Sequence, residues 1–175
     1  MGSFLNRLFG WITGPRPKLR CDPRLWDEGV AELERRTRGH TRESGAYLLG
    51  EQLAGGGRRI TEFVFYDDVD PYALDTGIVT IRETALPRLW EICRDRKLGV
   101  VADIHVHPFG SQQSDSDQAN PVMPRAGHLA IILPDYAAGE TRPGGIGLYE
   151  FLGHGQWRDH SRPGSKFLLL QEARK

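Results

Sequence analysis

Apolar positions change period several times along the chain, and each change marks an element. Phe4, Leu5, Leu8, Phe9 and Ile12 recur at helical spacing, then Gly14-Pro15-Arg16-Pro17 stops the run. Leu25, Trp26, Val30 and Leu33 form a second helical stripe. Asp22-Pro23 supplies its N-cap and a proline at the first helical position, so this helix is predicted to reach about Arg36 and end by Gly39. The run Ala46-Tyr47-Leu48-Leu49-Gly50 is too short for a helix and reads as a buried strand; residues 59–66, beyond the Gly55-Gly56-Gly57 turn, read as a second. Residues 78–81 form a short strand-like run. Leu86, Leu89, Trp90 and Ile92 predict a helix over about 83–97, with Pro87 tolerable only in its first turn. Strands follow at 100–106, 129–133, 146–152 and 166–170, with a polar loop over 109–124 and a glycine turn at Gly153-His154-Gly155. Strands interleaved with two helices predict an α/β domain, a mixed sheet flanked by helices.

Length adds that this is one domain with room for a core: 175 residues, divided as an amphipathic segment and Pro-rich linker at 1–20 and a domain over 21–175. The first segment is too short and too interrupted to span a bilayer, and no small-residue cleavage site follows it. A short helix packing on the domain or on a partner is expected there, and no membrane role. Lys plus Arg and Asp plus Glu both total 23, so no bulk charge points to nucleic acid. Cys21 and Cys93 form no Cys-x-x-Cys pair, so reduced thiols in a cytoplasmic protein are expected. Function must come from a local site.

The candidate is the end of the strand at 100–106. Residues two apart on a strand share a face, so His105 and His107 project together, and Pro108 takes the chain out of the sheet. Two neighbouring neutral imidazoles are half of a zinc site. With six histidines, roughly 0.2 His-x-His pairs arise by chance, so the pair alone carries little weight. Ser114-Asp115-Ser116-Asp117 adds to it. If Ser114 opens a helical turn, Ser114 and Asp117 lie three apart on one face, and a carboxylate there completes a His-His-Asp set with one position open for water, the catalytic rather than the structural pattern. Attack on an amide also needs a proton acceptor and donor. Glu43, immediately before the buried strand at 46–50, is the candidate, and the Ser114 hydroxyl can support an oxyanion. Each residue also has a plain reading: a solvated or satisfied histidine pair, a loop carboxylate, a helix N-cap.

Glu43-Ser-Gly-Ala-Tyr-Leu-Leu-Gly50, His105-Val-His107-Pro108 and Ser114-Asp-Ser-Asp117 together resemble the signature of the JAMM (MPN+) metalloproteases, over about residues 42–134. The segment from Asp117 to Pro134 looks most like the bacterial branch of deubiquitinase-like isopeptidases. The resemblance implies a cytidine-deaminase-like α/β fold, zinc held by His105, His107 and Asp117, Glu43 as general acid/base and Ser114 as oxyanion support. It implies as partners a ubiquitin-like protein and its conjugates, with activating-like and conjugating-like enzymes of the same operon, in antiviral defence. One departure is visible: six residues separate His107 from Ser114, one fewer than in many eukaryotic members, which leaves Asp115 as the alternative carboxylate. The extra Cys and His ligands of a second, structural zinc site are absent.

Two further readings compete. A non-catalytic MPN-type scaffold would lack ligands that this chain keeps. A nucleobase deaminase would need His-x-Glu and Pro-Cys-x-x-Cys elements, which are missing. His40, His154 and His160 receive no role, His160 being expected on the surface, and His128 is expected to support structure rather than bind metal. Trp26 and Trp90 read as core; Phe109 lines a groove or packs in its loop.

Overall fold

The structure is a computed structural model that describes residues 18–172. The predicted amphipathic helix thus lies outside the described residues, and of the 1–20 segment only the linker end, 18–20, is described. Eight strands form one mixed sheet among the described residues: β1 (Leu19–Cys21), β2 (Gly45–Gln52), β3 (Arg58–Phe65), β4 (Gly99–Val106), β5 (Leu129–Leu133), β6 (Gly147–Gly153), β7 (Gln156–Asp159) and β8 (Leu168–Leu170). Their order is β7-β6-β5-β4-β2-β3-β1-β8. β4 runs parallel to β5, and β1 runs parallel to both β3 and β8; the other pairings are antiparallel. The predicted α/β class and mixed sheet are therefore present.

Helix α1 (Pro23–Arg36) begins where the cap predicts, with the Asp22 carboxylate accepting from the Arg24 and Leu25 N–H groups. Its apolar stripe of Trp26, Val30 and Leu33 packs on one face of the sheet with Leu48, Ile60, Ala102, Ile104 and Val106. The one-turn helix α2 (Tyr66–Val69) and helix α3 (Leu86–Arg96), the latter preceded by a 3-10 turn at Glu83–Ala85, cover the other face, where Leu89 and Cys93 meet Tyr47, Leu49 and Val64. Strand alternation follows beyond the irregularity at Val100–Val101: Ala102, Ile104 and Val106 of β4 face α1, so Asp103, His105 and the residue after the strand, His107, face the opposite layer. Cys21 and Cys93 are both free and buried, as expected for reduced thiols.

Four expectations need correction. Residues 78–81 form no strand. Their polar backbone groups are used locally instead, Thr80 N–H donating to Ala73 and Val79 N–H to the Glu43 carboxylate. Leu19–Cys21, the first of them counted in the linker, form a strand held between β3 and β8. Trp90 sits 46% exposed on the outer side of α3, not in the core, whereas Trp26 is fully buried. His160 is not free on the surface: its ring stacks on Phe167 and lies 3.0 Å from Glu150, which Lys18 also contacts.

Candidate metal centre

Side-chain direction along β4 brings His105 and His107 together as predicted. Both are buried, and their Nε2 atoms lie 3.0 Å apart. His107 is fixed by its backbone beyond the strand end, its N–H donating to Leu133 and its carbonyl accepting from Tyr136. That second bond comes from a turn in which Asp135, Tyr136 and Ala137 stand at φ 52°, 57° and 67°, left-handed conformations that cost roughly 1–2 kcal/mol per non-glycine residue.

The predicted helical turn after the loop is α4 (Asp115–Ala119). Ser114 is its N-cap, and a capping box joins Ser114 to Asp117: the Asp117 N–H donates to Ser114 Oγ, while the Ser114 N–H and hydroxyl donate to Asp117 Oδ2 at 2.7 and 2.8 Å. The same carboxylate meets the histidines, Oδ1 at 3.4 Å from His105 Nε2 and Oδ2 at 3.1 Å from His107 Nε2. The loop that carries α4 is held from β6 and β7. Tyr149 Oη donates to Ser111 and Trp157 Nε1 to Gln118. Gly147 is needed here, because a Cβ on it would lie 2.1 Å from the Ser111 carbonyl.

His105, His107 and Asp117 are the one group of three or more ligand-type side chains that converges this way among the described residues. Asp115, the alternative carboxylate, is exposed and outside the group. Bonds of about 2.0–2.1 Å at tetrahedral angles set ligand atoms about 3.3 Å apart. Donor separations of 3.0, 3.1 and 3.4 Å match that requirement, so the residues fit a small divalent metal. The electrostatics agree. Burial opposes charge on His105, but Asp103 and Asp117 outweigh it and raise the imidazole to about 10. Partial burial of Asp117 is likewise overcome, and His105 and His107 hold its carboxyl well below the usual carboxylate range. Both shifts favour a positive charge beside the Asp117 carboxylate, the place a cation would take.

Glu43 and Ser114 line one pocket of about 90 Å³ with His105, Asp117, Ile78 and Val79. Glu43 is clipped to the 77–79 segment, its N–H donating to Gly77 and its Oε2 accepting from Val79 N–H at 3.3 Å. That loop is itself pinned by the buried Asp70 carboxylate, which accepts from Arg82 side chain and backbone and from Tyr72 N–H. A larger cleft of about 710 Å³, lined by Arg20, Asp22, Arg59 and Gln171, shares no residue with this site. Phe109 is 85% exposed and Ile78 52%, so both present apolar surface close to the pocket in sequence or space.

Two residues, Asp103 and Tyr66, escaped the sequence reading. Asp103 is buried on the same β4 face, with Oδ1 2.6 Å from His128 Nε2 and Oδ2 accepting from Tyr66 Oη at 3.0 Å. Burial pushes this carboxyl up, but His105 and His128 outweigh that and bring it to about 2. The signal was present as Asp-x-His-x-His, three chemistry-bearing residues at period two. His128 supports structure rather than joining the ligands, as expected.

No protein-family model matches the chain. The fold resembles a solution structure of protein DSY2949 from Desulfitobacterium hafniense, with TM-score 0.62 and 14% identity over 89% of this chain and 94% of that one. It also resembles a protein from Salinibacter ruber, with TM-score 0.53 and 15% identity over 81% of this chain and 88% of that one. Both were structural-genomics targets, and neither name carries an activity. They support the α/β fold alone.

Proposed function

We propose that this chain is a zinc-dependent isopeptidase or peptidase of JAMM (MPN+) type, on a cytidine-deaminase-like fold, that cleaves an amide bond after the C-terminus of a ubiquitin-like protein. One observation carries the reading: His105, His107 and Asp117 converge at metal-ligand spacing beside a pocket that Glu43 and Ser114 also line. Five residues from three separate segments meet with the division of labour that amide hydrolysis requires.

His105, His107 and Asp117 would hold the zinc. When bound, zinc polarises the scissile carbonyl and lowers the pKa of a coordinated water to about 7. Glu43 takes the proton of the attacking water and returns it to the leaving amine, acting first as base and then as acid. To do so its Oε2 gives up the Val79 N–H. Ser114 Oγ turns its proton from Asp117 toward the developing oxyanion. A pocket of about 90 Å³ walled by Ile78 and Val79 admits an extended backbone with small side chains, which favours glycine beside the cut. The resemblance extends the proposal to cytoplasmic deconjugation or precursor processing in a bacterial antiviral operon that also encodes activating-like and conjugating-like enzymes. Among the described residues no helix is long and apolar enough to cross a membrane.

The test is metal analysis of the purified protein followed by a cleavage assay on a ubiquitin-like fusion. Stoichiometric zinc and chelator-sensitive cleavage are expected. The Glu43→Gln variant should keep its zinc and lose about 10²–10⁴-fold in rate. Cleavage by that variant at the wild-type rate would overturn the mechanism; absence of stoichiometric zinc in the wild type would favour a non-catalytic scaffold.

A further inference from the structure

Asp103 is a carboxylate sunk in the apolar middle of β4, 1% exposed, and nothing in the hydrolytic cycle above uses it. It shares a face with His105, whose Nε2 points at His107 and Asp117. A neutral imidazole that offers Nε2 to a metal carries its proton on Nδ1, and that proton needs an acceptor. His105 Nδ1 is buried and makes no hydrogen bond, and the acid it faces is Asp103, with Oδ2 at 3.9 Å.

We propose that Asp103 is the positioning residue of the metal ligand His105, accepting its Nδ1–H and so holding the ring with Nε2 toward the metal. This rests on the zinc reading of the site. Asp103 is built for the task. Tyr66 donates its hydroxyl to Oδ2, and His128 contacts Oδ1, leaving an Oδ2 lone pair for His105. Tyr66 reaches Asp103 because Gly45 leaves its ring room: a Cβ there would lie 2.3 Å from the ring. His128 is anchored by its own backbone, bonded to Arg125 and Phe151. The present gap is about 1 Å longer than an ordinary N–H···O bond. A cavity of about 20 Å³ beside Asp103, His105 and Trp157 provides the slack in which ring and carboxylate close when the metal is bound. An ion pair with His128 alone would account for Oδ1 but not for the oxygen turned to Tyr66 and His105.

Zinc affinity is measured by competition with a chromophoric chelator, on the folded fraction of wild type, Asp103→Asn, His128→Gln and Tyr66→Phe, alongside apo melting temperatures. The expected result is a roughly 10–100-fold loss of affinity for Asp103→Asn and a smaller loss for the other two. A purely structural role predicts lower melting temperatures with zinc affinity unchanged, and that pattern overturns the proposal. Should Asp103→Asn fail to fold, ¹⁵N-edited NMR of zinc-loaded wild type decides. A His105 ring proton on Nδ1, downfield and protected from solvent, is expected; one exchanging freely refutes the assignment. Wild-type protein that binds no zinc at all refutes the metal reading itself, an outcome distinct from a wild type that binds and an Asp103→Asn that binds equally.

Discussion

The two halves of the candidate metal centre are positioned by different physics. His105 and His107 come from one strand end, with β2 and β5 paired on either side of it, so main-chain ladders set where they point. Glu43, Ser114 and Asp117 come from a loop and a five-residue helix, set in place by individual hydrogen bonds: the capping box, Tyr149 and Trp157 on one segment, Gly77 and Val79 on the other. The contrast teaches a division of tasks. The two histidines ride on the ladder, while Glu43, Ser114 and Asp117 sit where each is held by a few individual hydrogen bonds.

Substitutions on the two halves should therefore differ in kind. His107→Ala is expected to have the largest effect, loss of both stoichiometric zinc and cleavage, with a metal-free melting temperature close to that of metal-free wild type. The backbone bonds of His107 to Leu133 and Tyr136 do not involve its side chain. Retention of one zinc per chain in this variant would show that the strand pair is not the anchor. On the loop half, Ser114→Ala removes the N-cap, worth about 1 kcal/mol, and the oxyanion donor, worth roughly 10²-fold in kcat. Zinc should stay bound, so equal losses of zinc in the two variants would erase the distinction. A pH dependence is shared by both halves, through the favourable charge interaction between His105 and Asp117 when no metal is bound. His105 is raised from 6.5 to about 10 because Asp103 and Asp117 outweigh the burial that opposes its charge. The stabilisation it gives the metal-free protein is complete below about pH 6.5 and fades as pH rises through about 10. Zinc must displace the His105 proton, so its affinity should climb with pH over the same window, by up to about tenfold per unit. Chelator titrations and apo melts across the window check both slopes, and an affinity independent of pH would contradict this coupling.

Where an element carries its own punctuation, the chain reads plainly. Asp22-Pro23 marks the start of α1, and Ser114-x-x-Asp117 spells the capping box that sets Asp117 beside the histidines. The alternation of His105 and His107 sufficed to aim both at one face. What stayed hidden depends on distant partners. Leu19–Cys21 is three residues long and is a strand only because β3 and β8 flank it. Residues 78–81 have β-branched composition, yet Glu43 and Ala73 claim their N–H groups before any strand can. Asp103 was passed over because a carboxylate in an apolar run makes sense only once Tyr66 and His128, 37 and 25 residues away, are seen to meet it.

The placement of β1 between β3 and β8 also orders events during synthesis. Leu19–Cys21 is made well before Leu168–Leu170, so one of its edges has no partner until that later segment has been synthesised. Contacts of such sequence separation form slowly, because a long loop must close before they are rewarded. The strands around the candidate site, β2, β4 and β5, pair with one another and need no contact with β8. β8, at the far edge of the sheet, is then added after the segments that carry His105, His107 and Asp117 have been made.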